Sequence, residues 1–153
     1  MTSSLPQDPY IDAIATGLAD VGFDIADGWT SDAETRGTYC FLSAVLTLDA
    51  DTSGLDEDDW PEGLLLIWEW HTGIEAADGE PERGPSWQWA KKNADGSNTP
   101  PEQLPVDGFA NPVQVAAAVH ELATTGNALK KRPGRWDGTA AVETAISAWE
   151  AEA

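Results

Sequence analysis

Basic residues are almost missing from the first half of this chain. Between Met1 and Glu82 the only one is Arg36, set against 19 Asp and Glu, whereas Arg83 to Ala153 holds eight acids and seven bases. Nearly all of the net charge of −19 therefore lies ahead of Arg83. A half-chain this negative repels nucleic acid and anionic membrane and attracts basic protein surfaces or cations. Salt-adapted proteins carry acids on every surface, so the near-neutral second half argues against that origin.

Other absences narrow the field further. There is one cysteine, Cys40, inside an apolar run, which excludes an internal disulfide and reads as a small buried thiol suited to a reducing compartment. No apolar run approaches the roughly 20 residues of a membrane span, and MTSSLPQDPY lacks the basic start and apolar stretch of a signal peptide. The expected protein is cytoplasmic, with no membrane partner. Phosphate loop, dinucleotide fingerprint, zinc spacing and serine nucleophile elbow are all missing, so no cofactor and no metal are expected. The two histidines, His71 and His120, lie beside Glu69 and Glu121. His71 and Glu69 share a strand face and could exchange a proton, but nothing near them supplies a nucleophile or an oxyanion donor, and the chain is read as non-enzymatic.

What is present describes one α+β domain over residues 1–153, with 41% hydrophobic residues for its core. Asp8-Pro9 starts a helix whose apolar face is Tyr10, Ile14, Leu18 and Val21, with Asp12, Thr16 and Asp20 on the solvated side and Gly22 at its end. Residues 26–37 read as a polar loop. Alternation then predicts three strands: Thr38 to Leu48, with Leu42, Ala44, Leu46 and Leu48 on one face; Leu64 to His71, with Leu64, Leu66, Trp68 and Trp70 together; and Ser86 to Lys91, with Trp87 and Trp89 together. A proline-rich connection from Asn93 to Pro112 carries Leu104, Val106 and Phe109 as apolar anchors. Asn111-Pro112 starts a second helix with a Val115, Val119, Leu122 stripe, ended by Gly126, and Val142, Ile146 and Trp149 mark a third. The expected order is α-β-β-β-α-α, a small antiparallel sheet of three or more strands covered by the N-terminal and two C-terminal helices.

Three constellations are candidate sites. The first is the segment DADTSGLDEDDWPEG, with Asp49, Asp51, Asp56, Glu57, Asp58, Asp59 and Glu62 as carboxylates and Trp60 among them. Its opening resembles the start of a calcium loop, but position eight is Asp56 instead of an apolar residue and position twelve is Trp60 instead of a closing Glu. We read it as a partner-binding surface: carboxylates on a rigid fold can imitate duplex phosphates, and Trp60 is the residue type that anchors interfaces. The second, an alternative, is a platform for a small ligand or peptide made by Trp68, Trp70, Trp87 and Trp89, although aromatics at strand period more commonly form core. The third is the basic run Lys130, Lys131, Arg132 and Arg135, which in a molecule this acidic is expected to meet the acidic half, within one copy or between two as a homodimer, and not to bind nucleic acid directly.

Three stretches, PYIDAIATGLADVG at Pro9 to Gly22, LLLIWEWHTGI at Leu64 to Ile74 and NPVQVAAAVHEL at Asn111 to Leu122, resemble a family of small actinobacterial proteins of unknown function often found near mobile elements. The acidic insert from Asp49 to Gly63 departs from it. The resemblance implies a setting, an actinobacterium or its phage, and no catalytic residues. Together these readings describe a small acidic protein that binds a basic, DNA-binding partner as a DNA mimic, inhibitor or regulator.

Overall fold

The computed structural model describes residues 5–34, 40–73, 77, 83–127 and 130–152. The elements run α1 (Asp8–Asp20), β1 (Asp27–Glu34), β2 (Cys40–Leu48), α2 (Ala50–Ser53), β3 (Leu64–His71), β4 (Gly84–Lys91), β5 (Glu102–Gln103), α3 (Pro112–Thr125) and α4 (Thr139–Glu152). The strands form one antiparallel meander, β1-β2-β3-β4-β5. The α+β class is as expected; the sheet is larger by β1 and β5, and the acidic segment contains a helical turn. Thr38 and Tyr39, placed in a strand by their alternation, lie outside the described residues, as does the side chain of Cys40. No helix among the described residues is long and apolar enough to cross a membrane.

Alternation sorts the sheet into two faces. Leu42 pairs with Trp70, Ala44 with Trp68, Leu46 with Leu66 and Leu48 with Leu64, and on the next strand Trp68 faces Trp87 and Leu66 faces Trp89. All of these side chains are buried, together with Tyr10, Ile14 and Leu18 of α1, Val115, Val119 and Leu122 of α3, and Val142 and Ile146 of α4. Val21, expected on the α1 stripe, is exposed because the helix has already ended there: Gly22 N–H bonds to Ala19 O and Phe23 N–H to Leu18 O, and Phe23 takes the buried place. Gly17 permits the crossing of α1 and α3, since a Cβ there would stand 2.6 Å from that of Pro112.

β1 was expected to be loop because its inward positions are not apolar. Gly28 lies against Leu46, and Thr30 Oγ1 donates to Asp8 Oδ1 over 2.6 Å at the start of α1. The buried Gln7 side chain adds two bonds, from Nε2 to Ser31 O at 3.1 Å and to Ser43 O at 3.0 Å. Polar ties to the head of α1 hold this edge strand where a hydrophobic stripe would otherwise be needed.

At the centre stands the Tyr10 hydroxyl. It donates to Ala110 O at 2.7 Å and accepts from Trp87 Nε1 at 3.1 Å, while its ring lies among Trp68, Trp87, Phe109 and Trp136 at centroid distances of 5.3–6.2 Å. Trp68 Nε1 donates to Gly108 O at 2.8 Å, and a Cβ at Gly108 would collide with the Pro85 carbonyl. These bonds sew the proline-rich connection onto the sheet, so that its backbone fills the gap between α1 and the strands. At the rim, Arg83 lies 5.0 Å over Trp70, pairs with both Glu150 oxygens at 2.8 and 2.9 Å, and ties α4 to the sheet; Trp149 meets Trp70 edge-on.

Burial, and to a smaller degree the charge of Asp107, pushes the Tyr10 phenol well above its ordinary value, while the Trp87 hydrogen bond opposes them. A raised folded-state value means that stability from the neutral phenol is complete below the unfolded value of about 10 and is lost as pH climbs beyond it. Tyr10→Phe should cost about 1–3 kcal/mol at neutral pH, because Ala110 O and Trp87 N–H both lose their partner. It should also flatten the decline above pH ~10. Urea denaturation of both proteins from neutral to alkaline pH checks each expectation.

Candidate functional site

The acidic segment is an ordered connection from β2 to β3. Asp49 caps α2, its Oδ1 accepting Thr52 N–H at 2.6 Å, so the calcium-like opening folds as a capped helical turn. Among the described residues no three His, Cys, Asp or Glu are grouped to hold a metal ion. Further along, Asp58 N–H bonds to Asp56 Oδ1 and Trp60 N–H to Asp56 O, both at 2.8 Å. Leu55 and Trp60 turn inward, at 5% and 3% exposed, while Asp51, Asp56, Glu57, Asp58, Asp59 and Glu62 face solvent and Asp49 is half-buried. Trp60 is therefore not the exposed interface anchor expected of it. Its ring meets Trp89 edge-on at 6.2 Å and pins the loop from within, so the carboxylates project from a fixed base.

A second acidic stretch joins the first in space. Ser53, buried, donates from Oγ to Asp24 O at 2.5 Å and accepts Asp49 N–H at 3.0 Å. Ala26 N–H bonds to Thr47 O at 2.9 Å. The end of α1 and the connection to β1, with Asp20, Asp24 and Asp27 all exposed, thus sit at the same end of the sheet as residues 49–63. Asp20 lies in the last turn of α1, which carries no base, against the direction favoured by the helix dipole. None of these acids takes part in an ion pair among the described residues.

The basic run does not supply the missing counter-charge. Arg132 pairs with Glu121 at 3.6 Å and Arg135 with Asp107 at 3.3 Å, both partners in the near-neutral half. Within one copy, then, Arg132 and Arg135 pair outside the acidic half among the described residues, and isolated bridges from Val106 to Arg132 and Ala110 to Arg135 align the run with the proline-rich connection. Lys130 and Lys131 stay exposed.

The four strand tryptophans are core. Trp68, Trp70, Trp87 and Trp89 are 0%, 5%, 1% and 7% exposed beneath the helices, which leaves no open platform of all four. Only Trp89 reaches a cleft, one of about 360 Å³ between the acidic loop, the β4–β5 edge and the end of α3, lined also by Asp59, Trp60, Lys91 and Glu102. Nothing in the sequence pattern pointed to this cleft, since its walls come from four separate segments. Trp29, in the stretch expected to be loop, is the exposed tryptophan on the outer sheet face, cross-strand from Val45. His71 is buried, with Nε2 3.3 Å from Glu69 Oε1. His120 is exposed on α3.

The chain was compared with protein-family models, curated proteins and solved structures, and it matches none of them.

The Ser53 hydroxyl couples the two acidic stretches, so Ser53→Ala should lower stability by about 1–2 kcal/mol, because Asp24 O and Asp49 N–H both lose their partner. The urea midpoint measures this, and an unchanged midpoint would show that the stretches are held together by other contacts.

Proposed function

We propose that this is a non-enzymatic protein-binding module that presents the acidic end of its sheet to a basic partner. The observation that carries the reading is the convergence of Asp20, Asp24, Asp27, Asp51, Asp56, Glu57, Asp58, Asp59 and Glu62 on one end, none of them in an ion pair between described residues. Such crowding costs stability through like-charge repulsion and is relieved when a cationic surface docks. A fold that keeps the charges in fixed positions gives a DNA-binding protein the kind of field it meets on phosphates, which supports a DNA-mimic inhibitor or regulator acting in the cytoplasm. The resemblance to the actinobacterial family suggests a phage or mobile element as its setting. A head-to-tail homodimer would rest on Lys130 and Lys131, the bases of the run that no ion pair between described residues engages.

Immobilised protein exposed to an actinobacterial lysate should retain a basic DNA-binding protein that elutes as salt rises. A variant carrying Asp51→Asn, Asp56→Asn, Glu57→Gln and Asp58→Asn should retain much less of it, and duplex DNA should displace it from wild type. Equal retention by both forms would reduce the acidity to a matter of solubility.

A further inference from the structure

The cleft beside the acidic loop is built for a cation. Its floor is aromatic: Trp60 from the loop and Trp89 from β4 meet at 74°, edge to face. Its rim is acidic, with Asp59 on the loop and Glu102 directly cross-strand from Trp89. Its far wall is the C-terminal end of α3, closed by Gly126, where the helix dipole is negative. Ring faces, carboxylates and a helix C-terminus all favour positive charge.

One cation is already there, and it belongs to the chain. Lys91 Nζ lies 5.6 Å from the Trp60 ring centroid, and no ion pair between described residues holds it. The Lys91 backbone is fixed, its N–H bonded to Thr99 Oγ1 at 2.9 Å and its carbonyl accepting Thr99 N–H at 2.8 Å, so only its four-carbon stem would have to turn to vacate the ring. At about 360 Å³ the cleft stands at the small end of ligand pockets and has room for a single side chain. A planar guanidinium stacks on indole better than an ammonium does and can use two carboxylates at once.

The geometry points to this cleft as a socket for an arginine side chain of the partner, with Lys91 as the chain's own occupant, displaced when the arginine enters. This deepens the reading of the acidic end as a surface for a basic protein and rests on it: the exposed carboxylates attract, and the socket selects. The cleft carries the local specificity that a diffuse charge field lacks.

The test is an NMR titration of the intact protein with N-acetyl-arginine amide, following the indole N–H signals of Trp60 and Trp89 assigned through Trp→Phe variants, beside the neutral isostere N-acetyl-citrulline amide. The arginine probe should give saturable shifts at both indoles and the citrulline probe none. Asp59→Asn and Glu102→Gln should each weaken binding about tenfold, by loss of one charge-assisted contact. Lys91→Met, which keeps the stem and removes the competing charge, should tighten it several-fold, and Glu143→Gln on α4 should leave it unchanged. Equal shifts from the two probes, no shift from arginine, or a Lys91→Met variant that binds no more tightly than wild type would each overturn the socket. Lysate capture that survives such a result would leave the acidic surface standing by charge alone. Capture lost while arginine still titrates would instead remove the partner reading and leave a cation site.

Discussion

One buried hydroxyl organises this molecule. Tyr10 brings α1, β4 and the proline-rich connection to a single point, because its oxygen has to find both a donor and an acceptor away from water, and Trp87 Nε1 and Ala110 O are what it finds. Once that junction is made, Trp68 bonds to Gly108, the connection lies flat across the strands, and α3 begins immediately beyond it at Pro112. The helices therefore cover one sheet face, and the connections at the end where β1 begins and β2 ends are left to carry other properties. Stability lives mainly in the aromatic core, charge in those connections.

That separation explains how the chain tolerates its charge. The acidic loop is anchored by Leu55 and Trp60 and by the Asp49 cap, and of its exposed carboxylates Asp56 also holds the backbone, by accepting Asp58 N–H. Elsewhere the rim ion pairs join Arg83 to Glu150 and Arg135 to Asp107, and Glu150 is held below the usual carboxylate range by its hydrogen bonds to Arg83. Arg83, Arg132 and Arg135 thus pair within the near-neutral part of the chain. Unbalanced charge fixed to a rigid end is a poor stabiliser and a good attractor, the pattern expected where an external cation completes the electrostatics.

Much of the architecture was legible because the two periods of secondary structure stand out in this chain. The β2 and β3 alternation, the Asn111-Pro112 helix start and the Val142-Ile146-Trp149 spacing all correspond to observed elements. β1 escaped because Gly28 and Thr30 replace apolar residues on its inner face, and what holds it, Gln7 and Asp8, lies about twenty residues away in sequence. α2 was hidden by its own cap: Asp49 and Asp51 look like cation ligands until Asp49 is seen bonding backbone N–H. Trp60 was read from its acidic neighbours, yet a tryptophan between charges can turn inward as readily as outward, and Trp89 supplied the contact that decided it. The cleft could not be read from any local window, since tertiary packing alone brings Asp59, Lys91, Glu102 and the end of α3 together.

We propose that the acidic end is arranged for something outside the chain, at some expense to the fold. Urea denaturation midpoints of wild type and of a variant neutralised at Asp24, Asp51, Asp56, Glu57 and Asp58, taken at low salt and near 1 M, address it most directly. Repulsion within the acidic end requires a higher midpoint for the variant at low salt and a gap that closes near 1 M, where the Debye length falls to about 3 Å. A variant less stable than wild type at low salt would contradict it and make these carboxylates part of what holds the protein together.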